Sequence, residues 1–187
     1  MHTENVAAAD RNAASVQSNA SVVAQAVAKQ VYGVVARNAR GEVLWEDKVF
    51  NLITTVGLTD LLEQYFRGSG YTASHFMGLT DGTPTVAAGD TMASHAGWVE
   101  VTDYANATRR AMTFAAASAA SISNTGFEVV FTINATVTVG GLFITTSNVK
   151  GGTAGILYAG GPFSGGDRSL VNLDTVTCTF TNNMSSS

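Results

Sequence analysis

The chain has 187 residues and a formal net charge of −4, and 13% of its residues are charged, against about 25% in typical soluble domains. An acidic balance gives no support to nucleic-acid binding, which requires a basic face. The length fits one domain, or one domain with an appendage. With 45% hydrophobic residues, so little charge favours a protein that buries surface in an assembly; the alternative is an Ala- and Thr-rich β protein.

A lone cysteine, Cys178, excludes an intrachain disulfide and a cysteine-rich metal site. It lies in the alternating run 175–180, which is typical of a small strand residue rather than a nucleophile. No run approaches the ~18 consecutive apolar residues of a membrane span. Glu4 and Asp10 near the start are not typical of a secretory signal. We therefore expect folding in the cytoplasm and no membrane partner.

Residues 4–30 are rich in Ala and contain neither Gly nor Pro. Their apolar positions alternate in steps of three and four, the spacing of a coiled-coil seam. The seam consists of Val6, Ala9, Ala13, Val16, Ala20, Val23 and Val27. Such small side chains bury little area, so a helix here should form only against a larger surface. The pattern predicts a helical docking arm over residues 1–30, with Val6, Val16, Val23 and Val27 as its contacts; a frayed tail is the alternative.

From Val31 apolar residues recur at every second position, the spacing of a β-strand. Two β-like halves, 31–36 and 42–50, flank the tetrad 38–41, whose closing Gly41 suits a hairpin turn. A helix is predicted next, capped by Thr59 and stopped by Gly68. Its apolar face consists of Leu61, Leu62, Tyr65 and Phe66.

The remaining chain predicts short strands separated by turn residues. A strand over 71–77 leads to a turn at 81–84, a loop over 87–97 and a strand over 98–101. Further strand candidates are 109–115, 126–133, 136–145, 155–159 and 170–180. No βα alternation is present. These runs predict a mainly β, antiparallel sandwich or jelly-roll-like domain over residues 31–183, with one short internal helix and a solvated tail over 184–187.

The long stretch 78–110 concentrates histidines, acids and a tryptophan. We expect Asp90, Ser94 and His95 to hydrogen-bond the loop backbone, because an ordered loop must satisfy its polar groups. Trp98, at the start of a strand, should be mostly buried beneath a loop that projects from the domain. Asp90, His95 and Trp98 are also candidate interaction residues.

Catalytic and metal-binding interpretations find no support in the spacing. His75 and His95 are twenty residues apart, so local geometry does not bring them together with Asp90 as a zinc site or triad. A calcium site from Asp81, Asp90, Glu100 and Asp103 matches no known loop pattern. We predict no catalytic, cofactor-binding or metal residues, and hence no enzyme.

Basic residues are too few to bind nucleic acid. The pair Arg109–Arg110 is a small patch, and one of the two could instead pair with Glu100 or Asp103 across the sheet.

The order of features in residues 51–174 carries a resemblance to a known group of proteins: FNLITTVGLTDLLEQYF (which starts one residue earlier, at Phe50), HFMGLTDGTPTVAAGDTMASHAGWVEVTDY, a strand ending near GGLFIT, and GTAGILYAGGPFS. In this order the motifs resemble virion structural proteins of tailed bacteriophages, which include head decoration, head-fibre and tail-associated components. The resemblance covers about two thirds of the chain and excludes the N-terminal arm. It implies a place in the virion and no catalytic residues.

These observations lead us to expect a capsid cement or head-fibre protein that docks on the major capsid protein, forms a homo-oligomer and reinforces the shell. A tail or collar adaptor that anchors fibres is the alternative of the same class. A receptor- or carbohydrate-binding module is a second alternative, in which Tyr71, Trp98 and Tyr104 would stack on sugar rings.

Overall fold

The structure, a computed structural model, describes residues 26–68 and 74–186. The described strands are β1 (Ala26–Arg37), β2 (Val43–Phe50), β3 (Leu52–Ile53), β4 (Phe76–Asp81), β5 (Val99–Val101), β6 (Arg110–Ala111), β7 (Ser121–Ser123), β8 (Val129–Thr132), β9 (Val137–Val139), β10 (Gly141–Thr145), β11 (Leu157–Pro162), β12 (Arg168–Leu170) and β13 (Thr175–Ser186). Helix α1 (Thr55–Leu62) continues into a π-helical turn, Glu63–Arg67.

These strands form two main antiparallel sheets. The first has the order β2-β1-β13, and both β7 and β8 pair with the free edge of β13, one after the other along its length. The second has the order β3-β11-β10-β4, with β5 and β6 along β4. Strands β9 and β12 form a separate pair. The prediction of a mainly β, antiparallel sandwich with one short internal helix is confirmed for the described part of the chain.

The main core lies between the two sheets. In β1, Tyr32 and Val34 are buried on the inner face, and β13 sets Phe180 and Cys178 directly opposite them. Alternate residues of a strand point to the same face, so this register builds a continuous apolar layer. Cys178 is one of its members, and burial raises the pKa of its thiol to about 12. The interpretation of Cys178 as a strand residue is confirmed.

A second, smaller core lies on the other side of β10. Leu142 and Ile144 belong to the main core, whereas Phe143 between them packs with Met92, Trp98 and Leu157. The loop between β4 and β5 therefore covers the outer face of the second sheet. The expectation that this loop projects from the domain is wrong, because its apolar residues are held against Phe143.

Strands β1 and β13 extend the first sheet further than the sequence suggested. β1 pairs with β13 from Ala26↔Ser186 to Arg37↔Thr175. Residues 26–30 are therefore strand, and the prediction of a helix through residue 30 is wrong for them. Likewise Met184, Ser185 and Ser186 belong to β13, so the predicted tail over 184–187 is wrong for these three residues. The rest of the predicted arm, including Val6, Val16 and Val23, lies outside the described residues.

Helix α1 begins five residues earlier than predicted. Its N-cap is Thr54, whose Oγ1 accepts a hydrogen bond from the Gly57 backbone N–H at 3.1 Å. The Thr54 hydroxyl also donates to the Leu157 carbonyl of β11, so the cap ties the helix to the sheet. Gly57 permits the close contact, because a Cβ there would lie 2.4 Å from the carbonyl oxygen of Tyr158. The predicted stop at Gly68 is confirmed by its left-handed backbone, with φ of 61°.

Candidate docking surface

The β4–β5 loop is held in shape by the polar residues that the sequence indicated. The Asp90 carboxylate accepts a hydrogen bond from the Ala87 backbone N–H at 2.9 Å. Thr91 and Ser94 exchange backbone hydrogen bonds of 2.9 and 3.1 Å. His95 Nδ1 lies 3.1 Å from the backbone oxygen of Trp98. Their predicted part in fixing the loop is confirmed, whereas a part in contacting a partner stays a prediction.

A stack of four side chains fastens this loop to the sheet. The His95 ring is parallel to Trp98, with centroids 3.7 Å apart, and Trp98 lies 4.7 Å from Phe143. On Phe143, the Arg109 guanidinium is 5.2 Å from the ring centroid. Trp98 is only 6% exposed, as predicted. The stack makes Trp98 part of the interior rather than a free contact residue.

Arg109 completes a buried polar network at the base of the stack. Its Nε and Nη2 donate to the two carboxylate oxygens of Glu100 at 2.9 and 2.8 Å, and its side chain is 0% exposed. It also donates to the carbonyl oxygens of Ser147 and Gly152. In return, the Gly151 backbone N–H donates to Glu100 at 2.8 Å. The pair predicted across the sheet is confirmed, and its burial gives it a structural role.

The other candidates for chemistry are not brought together. His75 packs edge-on against Tyr158, whereas His95 stacks on Trp98. Within residues 26–68 and 74–186, no three His, Cys, Asp or Glu side chains are grouped so as to hold a metal ion. Over the same residues, no helix has the length and apolar character needed to cross a membrane.

The proposed sugar-stacking platform is wrong for its described members. Trp98 and Tyr104 are buried in the two cores, so neither can stack on a ring from solvent. Tyr71 lies outside the described residues. Val27 belongs to β1, and the strand replaces the helical seam in which it was predicted to lie.

The exposed apolar side chains of α1 and its π-helical turn form a different candidate site. Only Gly57 of α1 is buried, so the helix rests on the sheet through its glycine and turns its large side chains outward. Tyr65 is 80% exposed and Phe66 76%, with their rings edge-to-face at 5.0 Å. We call the "α1 surface" the group Leu58, Leu61, Leu62, Tyr65 and Phe66, all of them exposed and spaced along one side of the helix.

This surface has the chemistry of a protein interface. Large aromatic and aliphatic side chains make the strongest contacts in protein complexes, and contiguous exposed apolar groups mark docking sites. Charge lies at its margin, where Arg67 pairs with Glu63 at 2.8 Å. The charged residue of α1 itself, Asp60, is acidic. Arg67 is thus the single basic residue of α1 and its π-helical turn, and it is paired, whereas binding to anionic lipid surfaces uses clusters of basic residues.

The sequence identified most of this face but not its exposure. Leu61, Leu62, Tyr65 and Phe66 were predicted on one side of the helix. Leu58 joins them only because α1 begins at Thr55. Periodicity reveals that a face is apolar, but it does not reveal whether the domain covers that face.

Comparison with known proteins adds no family. No protein-family model matches the chain, and no curated protein matches its sequence.

Proposed function

We propose that this chain is a non-enzymatic structural protein of a tailed-phage virion, a capsid cement or head-fibre subunit that binds the major capsid shell. One observation carries the proposal: the domain leaves the α1 surface uncovered by its described residues. Burying a Leu or Phe side chain contributes roughly 1.5–3 kcal/mol, so an uncovered group of this size favours association with another protein.

Three further features support an assembly role. Only 13% of residues are charged, which suits a protein whose surface is covered by neighbours. His95, Trp98, Glu100 and Arg109, the side chains that first suggested a site, are engaged in packing and internal hydrogen bonds. The motifs within residues 51–174 resemble tailed-phage virion proteins. Together these features favour adhesion rather than catalysis.

The mechanism is adhesion through a pre-formed apolar face. Rigid presentation limits the entropy lost on docking. The Thr54 cap and the close approach of Gly57 to β11 supply that rigidity. The partner is the major capsid protein or another virion protein, and further copies of this chain complete the layer as a homo-oligomer. The virion is the location of the assembled protein.

Copy number tests the proposal. Quantitative mass spectrometry of purified particles should find the chain at hundreds of copies, as expected for a component that follows the symmetry of the shell. A copy number of roughly a dozen or fewer per particle, as in a single ring of subunits, would favour the tail or collar adaptor, which follows the symmetry of the tail. Absence from particles would overturn the proposal.

A further inference from the structure

A cavity of about 570 Å³ opens between the two sheets beside α1. Its walls combine Ile122, Phe180 and Asn182 of the first sheet with Tyr158 of the second. Leu61 of α1 lines it as well, so the cavity adjoins the α1 surface. Its volume lies within the range of pockets that enclose small organic groups, about 300–1,000 Å³.

The walls are shaped for an aromatic ring. His75 meets Tyr158 edge-to-face with centroids 5.5 Å apart, and it meets Phe114 at 6.3 Å. Phe114 in turn meets Phe180 edge-to-face at 5.7 Å. Aromatic rings prefer such edge-to-face neighbours at centroid separations of about 4.5–7 Å. A further ring entering the cavity finds faces and edges already arranged around it.

The polar groups of the cavity select an uncharged ligand with a donor. Asn182 lines the cavity, and its Oδ1 is buried without a hydrogen-bond partner among the described residues. A buried carbonyl oxygen gains from a donor brought by a ligand. Among the residues that the structure describes, no Asp, Glu, Lys or Arg lines the cavity. Burial lowers the pKa of His75, which favours the neutral ring at pH 7. A charged ligand would lose its hydration without compensation.

We propose that this cavity binds an uncharged aromatic group that carries one hydrogen-bond donor, as a phenol or a tyrosine side chain does. The ring packs among Phe114, Tyr158 and Phe180, and its hydroxyl donates to Asn182. A partner docked on the α1 surface would insert such a side chain past Leu61. That last step rests on the proposed function, whereas the chemistry of the cavity does not.

Titration of the full chain with p-cresol and with toluene, followed by NMR, tests the pocket. The two probes have similar shape, and only p-cresol has a donor. We expect saturable binding of both, with p-cresol about tenfold tighter, the effect of one hydrogen bond to a buried acceptor. Resonances of residues lining the cavity should shift.

Two variants and a matched control test whether the probes bind in this cavity and whether Asn182 causes the preference for p-cresol. Ile122→Phe places extra volume in the cavity and should abolish binding of both probes. Asn182→Leu removes the acceptor and should bring p-cresol to the affinity of toluene. Asn183→Leu, at the next and exposed position of β13, should leave both affinities unchanged.

Absence of saturable p-cresol binding to the natural chain would overturn the pocket, and so would p-cresol and toluene binding equally well. If Ile122→Phe does not fold, the ratio of the two affinities in the natural chain still decides. The experiment uses the isolated protein, so its failure is separate from that of the virion proposal. A chain absent from particles can still bind p-cresol, and a particle component can fail to bind it.

Discussion

Arg109 and Glu100 form a doubly hydrogen-bonded ion pair in which the arginine side chain is fully buried and its guanidinium covers the ring of Phe143. A buried charge is tolerated only while its partner and hydrogen bonds are present. The pair thus joins β5 to the 147–152 loop and closes one side of the second core.

Arg109→Met should lower the free energy of unfolding by about 3–5 kcal/mol, because it leaves Glu100 charged and buried without a positive charge beside it. Urea denaturation measures the change. The double variant Arg109→Met/Glu100→Leu should recover much of the loss, since no uncompensated charge remains. Arg40→Met removes the exposed Arg40–Glu42 pair and serves as the control, with little effect expected. Equal losses at the two arginines would contradict a structural role for the buried pair.

Gly78→Ala should destabilise the domain by about 1–3 kcal/mol through overpacking. A Cβ at Gly78 would lie 2.4 Å from two ring carbons of Phe143, which Trp98 and Arg109 prevent from moving aside. Near-ultraviolet circular dichroism of Trp98 should change as well. Gly33→Ala is the matched strand control, because nothing lies within 4 Å of a Cβ at that position. A Gly78→Ala protein as stable as Gly33→Ala would refute the tight packing.

Acid should weaken the domain partly through His75. Burial lowers the pKa of His75, an effect only partly opposed by the nearby Asp60 carboxylate. The unfolded chain, with a His pKa of about 6.5, therefore binds the proton more readily than the folded one. Above pH 6.5, about the pKa of His in the unfolded chain, neutral His75 does not weaken the folded domain. As the pH falls below that value and through the lower pKa of the folded state, the domain loses stability. His75→Phe should lose less stability than the natural chain between pH 7.5 and 5 in urea denaturation; identical losses would contradict this.

Two truncations distinguish the role of residues 1–25 from that of strand β1. Removing residues 1–25 should leave the melting temperature of the sandwich unchanged, because β1 begins at Ala26. Removing residues 1–30 deletes five residues of strand pairing and the buried Gln30, which accepts a hydrogen bond from Asn51. It should lower the melting temperature measurably. If the segment is a docking arm, the shorter truncation should also abolish incorporation into particles. Full incorporation of a chain that lacks residues 1–25 would contradict the hypothesis of a docking arm.

Features with local causes could be predicted from the sequence. The hairpin at 38–41 depends on Asn38 and Gly41, and the structure shows the predicted turn with Gly41 at φ of 81°. The stop at Gly68 has the same kind of cause, a residue that adopts a left-handed backbone without strain. Burial of Trp98 was also predicted from the sequence, although its cause, contact with Phe143, lies 45 residues along the chain.

Features that depend on residues distant in the chain could not be predicted from the sequence. Thr54 rather than Thr59 caps α1, because its hydroxyl bonds Leu157, 103 residues along the chain. Residues 26–30 carry a helical pattern in the sequence, yet pairing with the far end of β13 makes them strand. Tertiary contacts of this kind override local propensity. The exposure of the α1 surface belongs to the same group, since it depends on Gly57 meeting Tyr158.

The most direct test of the central claim is a binding isotherm on particles that lack this protein. Purified chain should co-sediment with such particles and saturate at a fixed number of copies. Tyr65→Ser/Phe66→Ser should weaken binding about 1,000-fold, because two aromatic contact residues of about 2 kcal/mol each are lost. Phe127→Ser changes an exposed aromatic outside the α1 surface and should bind as the natural chain does. A double variant that binds as tightly as the natural chain would contradict the claim that the α1 surface docks on the virion.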